Sequence, residues 1–371
     1  MSDITRVAVL CGGKSAEHEV SLQSAKNVIE AIDRGRHEVI PIGIDKEGAW
    51  FLCDLDDYLV HPEDPKKIRL KCRDSERLAL VPGAPGHPLV RMAGGGSIGP
   101  LDVVFPVLHG PMGEDGTVQG LLKTADVAFV GAGVLGSSVG MDKVVMKRLL
   151  LDAGIPVARY RTVAWHEKEL LLFDEIAADL GLPLFVKPVN LGSSVGVGKA
   201  GDQDTFEYAV REAFRFDTRI LIEEFIPGRE IECSVLGNEH PKASLPGEIV
   251  PRHEFYSYKA KYIDENGAGL VIPAELPSET VERIQALSME SFKALRCEGM
   301  ARADCFLREN GEVVINEINT IPGFTRISMY PKLWEATGIS CPDLIHRLIR
   351  LGIERHEREK ALATSYSFTD F

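Results

Sequence analysis

The stretch ARADCFLRENGEVVINEINTIPGF, residues 301–324, decides the fold that we expect for this chain. It holds two apolar runs, 301–307 and 312–318, and each run is long enough for a β-strand. Between them lies Glu309-Asn310-Gly311, a sequence typical of hairpin turns. We therefore expect two neighbouring antiparallel strands near the end of the chain.

Polar side chains interrupt both runs at every second position. Arg302 alternates with Asp304 on the first strand, and Glu317 with Asn319 on the second, so each pair shares one face of its strand. Carboxylate and amide oxygens are ligands that Mg²⁺ prefers. A solvated sheet face would also carry such charges, but both strands are otherwise apolar, which favours a site. Asp304, Glu317 and Asn319 are therefore our candidate metal ligands.

Upstream, the chain alternates short apolar runs with helical patterns, which is typical of an α/β protein whose sheets are covered by helices. A helical pattern that starts near residue 142 and a Pro227-Gly228 turn indicate boundaries near residues 140 and 230. We expect an N-terminal α/β domain over 1–140, a central domain over 141–230 and a C-terminal domain over 231–371.

Two segments do not fit the alternation of strands and helices. Residues 54–99 are rich in proline, glycine and charge, and we interpret them as an irregular surface excursion without an assigned role. The tail from about residue 355 is charged and then rich in serine and threonine, so we expect it to be frayed.

The composition is that of a globular protein with an acidic balance. The 371 residues include 42 Lys and Arg against 55 Asp and Glu, a net charge of −13, which argues against nucleic acid as a partner. No apolar run approaches the roughly 18 residues that a membrane span needs, and the start lacks the apolar core of a secretion signal. The seven cysteines are scattered without a C-x-x-C pair, which suits reduced thiols in the cytoplasm.

Two glycine-rich loops look like phosphate-binding loops, and the first is residues 131–136, GAGVLG. It matches G-x-G-x-x-G after a strand, the pattern of NAD-binding enzymes. About 20 residues further on, where a dinucleotide site needs an acid at a strand end, Asp152 lies within a helical pattern instead. We favour a tight packing turn here and keep an NAD-dependent oxidoreductase as an alternative.

The second loop, residues 187–198, KPVNLGSSVGVG, follows a strand that ends in Lys187. Its glycines and serines leave backbone N–H groups accessible, and a run of such groups binds anions. Lys187 adds a cation for phosphate oxygens. A flexible hairpin loop with a surface lysine explains the pattern equally well on its own.

Further polar residues follow strands, where ligands bind in open α/β sheets. Glu17 and Glu19 open the helix after the first strand, either as first-turn acids or as ligand contacts. His109 follows another strand in a glycine-rich loop, and a structural and a functional role are equally open to it. Residues 223–225, Glu-Glu-Phe, with Glu230 offer a carboxylate for a ribose beside an apolar wall for a base, although alone they would read as an edge strand.

Taken together, these motifs resemble the D-alanine–D-alanine ligase family of the ATP-grasp superfamily over nearly the whole chain. The matching stretches are LCGGKSAEHEVSL (10–22), HGPMGEDGTVQG (109–120), MDK (141–143), KPVNLGSSVGV (187–197), LIEEFIPGREIECSVLG (221–237), YKAKY (258–262), RADCF (302–306) and NEINTIPGFTRISMYPKL (316–333). The set is highly specific, whereas a single short motif such as GSSVG is not.

The resemblance implies an α/β fold of three domains, with a parallel sheet in the N-terminal domain and ATP held between the antiparallel sheets of the other two. It implies ATP contacts at four places. These are Lys143, Lys187 and Lys261 at the phosphates, Ser193, Ser194 and Val195 in the closing loop, Glu223, Glu224, Phe225 and Ile226 around the adenine, and Glu230 at the ribose. It assigns two Mg²⁺ ions, or Mn²⁺ in their place, to Asp304, Glu317 and Asn319.

The resemblance also implies the sites of two D-alanines. Glu17 would hold the ammonium of the first, and His109 would lie near its carboxylate. Arg302 and the Gly323 backbone would stabilise the oxyanion. The remaining implied residues are Ser328 and Met329 at the second D-alanine, and Tyr262, which would tie a mobile loop to Ser193 and Glu17.

The activity implied is the ATP-dependent ligation of two D-alanines through a D-alanyl phosphate, for peptidoglycan synthesis, by a cytoplasmic homodimer without membrane or nucleic-acid partners. Tyr262 is typical of the members that form peptides, and relatives that make D-alanyl-D-lactate differ there, so D-alanyl-D-lactate is the alternative product. Glu224 stands where many relatives carry lysine, which leaves only its backbone as an expected adenine contact. A non-catalytic nucleotide-binding regulator would have lost Arg302 or a metal ligand, and none is lost.

Overall fold

The computed structural model of the protein describes residues 4–84, 86–251 and 268–365. Its strands are β1 Thr5–Gly12, β2 His37–Ile44, β3 Trp50–Leu52, β4 Leu59–Val60, β5 Arg69–Leu70, β6 Arg77–Leu80, β7 Leu89–Arg91, β8 Val103–Pro106, β9 Tyr160–Ala164, β10 Leu184–Pro188, β11 Gly198–Ala200, β12 Arg219–Glu224, β13 Arg229–Gly237, β14 Lys242–Ala243, β15 Gly247–Pro251, β16 Ala268–Val271, β17 Gly299–Leu307 and β18 Val313–Asn319. Its α-helices are α1 His18–Ala31, α2 Thr117–Thr124, α3 Val134–Met141, α4 Lys143–Asp152, α5 Phe173–Leu180, α6 Gln203–Ala213, α7 Ser278–Ala294, α8 Met329–Ala336 and α9 Cys341–Lys360. Among these helices, none is both long and apolar enough to cross a lipid bilayer.

The first sheet has the strand order β7-β6-β3-β2-β1-β8. β1 pairs in parallel with β2 on one side and with β8 on the other, and α1 forms the crossover between β1 and β2. Residues 7–11 of β1 are fully buried because both faces of the parallel sheet are covered. The expected parallel sheet in the N-terminal part of the chain is confirmed.

The excursion over 54–99 is not the purely irregular surface segment that its composition suggested. Its strands β6 and β7 extend the first sheet, with β6 antiparallel to β3. Another part of the excursion contacts α1, where Glu63 Oε1 lies 2.8 Å from Lys26 Nζ. The strands of the excursion, β4 to β7, are only two to four residues long, which leaves too little periodicity for a sequence pattern to reveal them.

The second sheet, β11-β10-β12-β9, is antiparallel throughout. Leu184 and Val186 of β10 pack with Ile222 of β12 in one core cluster under α5 and α6. Because side chains alternate along a strand, Lys187 and Glu223 project from the opposite face. This face is the one that meets α4 and the third sheet.

The third sheet has the order β16-β15-β13-β17-β18, with β14 beside β13. The predicted hairpin is confirmed as β17 and β18, and Asp304 pairs with Glu317 while Arg302 pairs with Asn319. Ala301 and Cys305 of β17 point to the core that packs on α7. The polar residues of β17 and β18 therefore share the face that turns away from this core.

Helix α9 continues to Lys360, so the expectation of a frayed chain from about residue 355 is wrong up to that point. Arg355 explains the difference, because its buried guanidinium donates hydrogen bonds to the carbonyls of Phe129 and Gly131 and stacks on the Phe129 ring at 4.2 Å. Arg355 is a buried cation in a charged segment, and composition alone does not distinguish it from its solvated neighbours.

The loop at 131–136 is closely packed against the C-terminal part of the chain. A side chain at Gly136 would meet the Arg296 carbonyl at 2.5 Å, and one at Gly299 would meet the Gly131 nitrogen at 3.1 Å. The glycines here allow two backbones to approach each other. This geometry supports the packing turn over a dinucleotide site.

Candidate active site

A cavity of about 720 Å³ opens where α1, the loop after β8, the β17–β18 hairpin and the loop before α8 meet. Its wall brings together residues that the sequence analysis placed at the two D-alanines, the closing loop and the metal site: Glu17, His109, Ser193, Arg302, Glu317, Asn319, Gly323, Ser328 and Met329. The excursion adds Pro62, Glu63 and Pro65 to the same wall, a contribution that the sequence did not predict.

The three candidate metal ligands lie together on β17 and β18. Asn319 Nδ2 donates to Asp304 Oδ2 at 2.9 Å, and Asp304 is directly opposite Glu317 in the hairpin. Arg302 donates from Nε and Nη2 to the two oxygens of Asp304 at 2.6 and 2.7 Å. Lys143 Nζ lies 2.9 Å from Glu317 Oε2. Both carboxylates are thus balanced by neighbouring cations.

This set of donors fits a divalent cation that is shared with a ligand. Mg²⁺ is commonly held by one or two carboxylates together with substrate phosphates. Across residues 4–84, 86–251 and 268–365, no group of three or more His, Cys, Asp or Glu side chains is gathered to hold a metal ion by itself. Oxygens from a bound phosphate or from water would complete the coordination of a cation at Asp304 and Glu317.

Helix α4 delivers two lysines to the cleft between the second and third sheets. Asp142 caps the helix by accepting hydrogen bonds from its first turn, an interaction worth about 1 kcal/mol. Lys143 and Lys147 are four residues apart and so share one helix face. Lys143 Nζ also donates to the Leu191 carbonyl at 2.9 Å, which links Glu317 to the second glycine-rich loop.

Glu223 joins two lysines at the base of this cleft. Its Oε1 lies 2.6 Å from Lys147 Nζ and its Oε2 lies 2.5 Å from Lys187 Nζ. Burial acts to raise the pKa of Glu223, but the two lysines outweigh it and lower the pKa to about 2. Lys187 Nζ also reaches Asn316 Oδ1 at 3.3 Å, so Lys187 connects the second sheet to the third.

Glu224 directs its carboxylate away from the cleft. The Arg159 backbone N–H donates to Glu224 Oε1 at 2.9 Å, and Arg159 Nε donates to Oε2 at 3.0 Å. The cause is strand alternation, since Glu223 faces the lysines and its neighbour must face the other side. The geometry agrees with an adenine contact through the Glu224 backbone rather than its side chain.

The other residues implied at the base and ribose lie along the strand end that follows. Phe225 is half exposed, with Lys199 Nζ at 5.9 Å from its ring centre. Ile226 is buried in a small apolar cluster. Glu230 lies on β13 directly opposite Phe306 of β17. Glu230 therefore shares a sheet face with an apolar side chain, and the base and ribose contacts stay predictions.

The loop over 191–198 carries strained backbone at two serines. Ser193 and Ser194 have φ angles of 52° and 58°, a region that residues other than glycine seldom adopt, and such strain clusters at ligand clamps. Val195 N donates to the Gly192 carbonyl at 3.1 Å and so closes a tight turn. Ser193 Oγ donates to a carboxylate oxygen of Glu17, which ties this loop to the amino-acid end of the cavity.

Two carboxyl groups lie at that amino-acid end. Glu17 is buried at the start of α1, and Glu114 Oε2 accepts a hydrogen bond from the Gly110 N–H at 2.6 Å. Burial, followed by the charge of Glu17, raises the pKa of Glu114 to about 8. Glu114 is therefore protonated at neutral pH and adds no negative charge beside Glu17, which suits the binding of one ammonium group there.

His109 is buried beside these carboxyl groups and is neutral. Burial lowers its pKa to about 4, and the charge of Arg302 acts in the same direction. Its Nε2 lies 3.0 Å from Ser24 Oγ, which also accepts the Phe324 N–H at 3.2 Å. These contacts connect α1 with the loop after β18 and fix the imidazole at the cavity wall.

The loop before α8 is compact at the positions implied for the second substrate. A Cβ at Gly323 would meet Ser328 Oγ at 2.8 Å, so any larger residue there would displace the Ser328 hydroxyl. Ser328 Oγ accepts the Thr325 N–H at 2.9 Å. Met329 starts α8 and is buried against Ile249, so it supports the wall of the cavity as well as lining it.

Lys261 and Tyr262 lie outside the residues that the structure describes. The contacts that the resemblance implies for them, with a terminal phosphate and with Ser193 and Glu17, stay predictions.

Sequence reasoning missed four residues that the structure brings to the cleft. Lys147 pairs with Glu223, Asn316 accepts from Lys187, and Glu232 Oε2 lies 2.9 Å from Arg302 Nε. Glu114 is the fourth. The sequence could have indicated two of them, because Lys147 follows Lys143 by four helical residues and Glu232 shares a strand face with Glu230. Their ion-pair partners could not be predicted from the sequence.

The fold and the site define a class of enzyme. Two antiparallel sheets contact each other through Lys187 and Asn316, next to a lysine-lined cleft and a parallel sheet that contributes the amino-acid end, which is the arrangement of ATP-dependent ligases of the ATP-grasp fold. Family models described as the D-ala D-ala ligase N-terminus and C-terminus match residues 6–132 and 149–350. The chain belongs to the D-alanine–D-alanine ligase family.

Relatives and solved structures agree with this assignment. The chain is 53% identical to the D-alanine–D-alanine ligase of Oceanobacillus iheyensis, with 98% of this chain and 99% of the relative covered. It is 51% identical to the D-alanine–D-alanine ligase A of Escherichia coli, covering 97% and 99%. Among solved structures, a D-alanine–D-alanine ligase from Coxiella burnetii matches with a TM-score of 0.82 at 38% identity, covering 96% of each chain. A D-Ala:D-Ser ligase from Enterococcus faecalis matches with a TM-score of 0.82 at 36% identity, covering 94% and 100%.

Proposed function

We propose that this enzyme joins two D-alanine molecules into D-alanyl-D-alanine, with ATP converted to ADP and phosphate, for peptidoglycan synthesis. The observation that carries the proposal is the hydrogen bond from Ser193 to Glu17. It connects the loop of the nucleotide cleft with the carboxylate that would bind the first ammonium group. One cavity can therefore hold the γ-phosphate of ATP close to the carboxylate of an amino acid.

In the first step, a carboxylate oxygen of the first D-alanine attacks the γ-phosphorus of ATP, and the bond between this phosphorus and the β,γ-bridging oxygen breaks. The products are ADP and D-alanyl phosphate. Lys143 and Lys187 lower the repulsion between the two anions that must meet. Lys261 adds a third cation at the γ-phosphate.

In the second step, the amine of the second D-alanine attacks the acyl carbon of D-alanyl phosphate. The carbonyl oxygen becomes negative in the tetrahedral intermediate, and donors from Arg302 and the Gly323 backbone stabilise it. Phosphate then leaves and the amine loses a proton, which gives the dipeptide. Ser328 and Met329 line the position of the attacking amino acid.

We propose Asp304, Glu317 and Asn319 as the residues that hold two Mg²⁺ ions, with Mn²⁺ as a substitute. Bound there, a divalent cation supplies charge neutralisation and orientation of phosphate oxygens. Support comes from the set of oxygen donors and from its position next to Lys143 and Lys187.

D-Alanine is our proposed second substrate, with D-lactate and D-serine as the alternatives to be tested. Tyr262 favours peptide formation, while a D-Ala:D-Ser ligase shares the fold at 36% identity. Incubation with ATP, Mg²⁺ and an equimolar mixture of the three compounds decides between them by mass analysis of the products. We expect D-alanyl-D-alanine to dominate.

The test of the whole function is ADP release coupled to dipeptide. We expect ADP, phosphate and D-alanyl-D-alanine in equal amounts, and no ADP without D-alanine. ADP formation that is independent of D-alanine would contradict the proposal. Protection against heat by ATP but not by NADH excludes the oxidoreductase alternative.

Three further expectations complete the proposal. We propose that the units are residues 1–140, 141–230 and 231–371, which limited proteolysis can check. We propose a homodimer, measurable by light scattering. We also propose the cytoplasm as the location, because the reaction consumes ATP and all seven cysteines are free thiols.

A further inference from the structure

We propose that Lys147 is a positioning residue that keeps Lys187 available to the phosphates of ATP by occupying one oxygen of the Glu223 carboxylate. The inference rests on the proposed function, in which Lys187 binds ATP. Lys147 itself is too deeply buried to contact the nucleotide, since its side chain is only 1% exposed.

The geometry shows one carboxylate shared by two ammonium groups. Glu223 Oε1 is 2.6 Å from Lys147 Nζ, and Oε2 is 2.5 Å from Lys187 Nζ. The Glu223 side chain is 3% exposed, whereas the Lys187 side chain is 14% exposed. The buried end of this triad is therefore closed by Lys147, and the end that faces the cleft is Lys187.

The charges explain why both lysines are needed. A buried carboxylate must be paired, and its attraction for a cation is strong away from water. With one lysine, Glu223 and Lys187 would form a neutral pair, and a phosphate would have to compete with Glu223 for the ammonium. Burial lowers the pKa of Lys147, and the charge of Glu223 opposes this shift. With Lys147 charged, the triad has one positive charge in excess, and Lys187 is the member that a phosphate can reach.

The surrounding structure fixes both ammonium groups relative to each other. Asn316 contacts the two lysines at once, with its carbonyl 3.5 Å from Lys147 Nζ and its Oδ1 3.3 Å from Lys187 Nζ. Lys147 is also held by the capped helix α4 and lies 5.9 Å from the Tyr160 ring centre. Its position is thus set by elements of the central and C-terminal parts of the chain, independently of any ligand.

The test compares Lys147→Met with Arg148→Met, which removes one positive charge from an exposed position of the same helix. For Lys147→Met we expect the KM for ATP to rise at least ~10-fold, because the phosphates would lose about one charge-assisted contact with Lys187. The kcat at saturating ATP and the KM for D-alanine should change less than ~3-fold. Arg148→Met should match the wild type in all three constants. A wild-type enzyme without D-alanine-dependent ADP release would contradict the proposed function instead.

A comparison of the double variant Lys147→Met with Glu223→Gln against Glu223→Gln alone separates positioning from packing. Both variants lack the carboxylate that would capture Lys187, together with any contact that it makes to ATP. In the Glu223→Gln background, Lys147→Met should therefore change the KM for ATP less than ~3-fold. An unchanged KM for ATP in Lys147→Met, a loss shared equally by kcat and both KM values, or a ~10-fold increase of this KM by Lys147→Met in both backgrounds would overturn the inference. Where Lys147→Met alone does not fold, the comparison in the Glu223→Gln background decides: equal KM values for ATP support the inference, and a ~10-fold difference contradicts it.

Discussion

The proposed nucleotide end, which is the cleft between the second and third sheets, and the amino-acid end, which lies in the adjoining cavity, have opposite electrostatic character. At the nucleotide end, lysines outnumber the carboxylates that pair with them: Lys143, Lys147 and Lys187 against Glu223 and Glu317. At the amino-acid end, two carboxyl groups lie together and the nearby histidine is neutral. One end therefore favours the polyanionic phosphates and the other favours an ammonium group. In the proposed function, this difference would orient a D-alanine with its carboxylate towards the γ-phosphate.

A comparison of Glu223 with Glu114 shows how this difference arises. Both carboxyl groups are withdrawn from water, and burial acts to raise both pKa values. The pKa of Glu223 nevertheless falls to about 2 because two lysines contact it, whereas burial, followed by the charge of Glu17, raises the pKa of Glu114 to about 8. Cations in contact with the carboxylate outweigh burial at Glu223, whereas burial dominates at Glu114.

The largest expected effect is at the junction of the two ends. Glu317→Gln removes a carboxylate that pairs with Lys143 and that we assign to Mg²⁺, so kcat/KM should fall by ~10³-fold or more. Steady-state ADP release measures it. Glu309→Gln removes a carboxylate from the exposed turn of the same hairpin and should have no effect. Activity of Glu317→Gln within ~10-fold of wild type would refute the assignment of this ligand.

The amino-acid end is tested next by Glu17→Gln. Loss of the charge that pairs with the substrate ammonium should raise the KM for the first D-alanine by about 100-fold, in line with the loss of a hydrogen bond to a charged group. The KM for ATP should stay the same, because the lysines are untouched and the glutamine Oε1 can still accept the hydrogen bond from Ser193. Glu19→Gln on the same helix, where Glu19 pairs with Lys46, is the matched control. Equal changes in the two KM values would mean that the ends of the cavity are not separate.

A smaller effect concerns the pH dependence of stability. The folded protein keeps a proton on Glu114 up to about pH 8, whereas the unfolded chain loses it above the ordinary pKa of 4.5. The stabilisation from Glu114 is therefore complete below pH 4.5 and is lost as the pH rises towards 8, by at most about 1.4 kcal/mol per pH unit. Urea unfolding at several pH values should show a flatter profile for Glu114→Gln than for wild type. Parallel profiles would contradict the raised pKa.

The smallest effect should come from Glu224→Gln. Its carboxylate pairs with Arg159 on the far side of the sheet, so the KM for ATP should change less than ~2-fold, and the free energy of unfolding should fall by less than ~1 kcal/mol. A kinetic measurement over ATP concentration checks this. A large increase in the KM would show that the Glu224 side chain does reach the adenine.

Strand alternation let the sequence predict much of this site. The face shared by Arg302 and Asp304, and by Glu317 and Asn319, follows from a period of two in a recognisable hairpin. The same alternation predicts that Glu223 and Glu224 point to opposite faces of β12, so that only one of the two carboxylates can face the cleft. Local periodicity is sufficient where a functional set lies on adjacent strands.

Other parts of the site could not be predicted, because they depend on contacts between distant segments. The pairing of Lys147 with Glu223 joins α4 to β12, and the buried position of Arg355 joins α9 to the loop at 131–136. The participation of the excursion in the cavity wall is of the same kind. The sequence does not show whether a charged residue contacts water or a buried group on another element.

The formation of an acyl phosphate is tested most directly by following oxygen from D-alanine to phosphate. With D-alanine labelled by ¹⁸O in its carboxylate, we predict one ¹⁸O atom in each molecule of phosphate released, because the attacking carboxylate oxygen stays with phosphorus when the amine displaces it. Phosphate without ¹⁸O, formed together with the dipeptide, would show that no acyl phosphate is made and would contradict the proposed function.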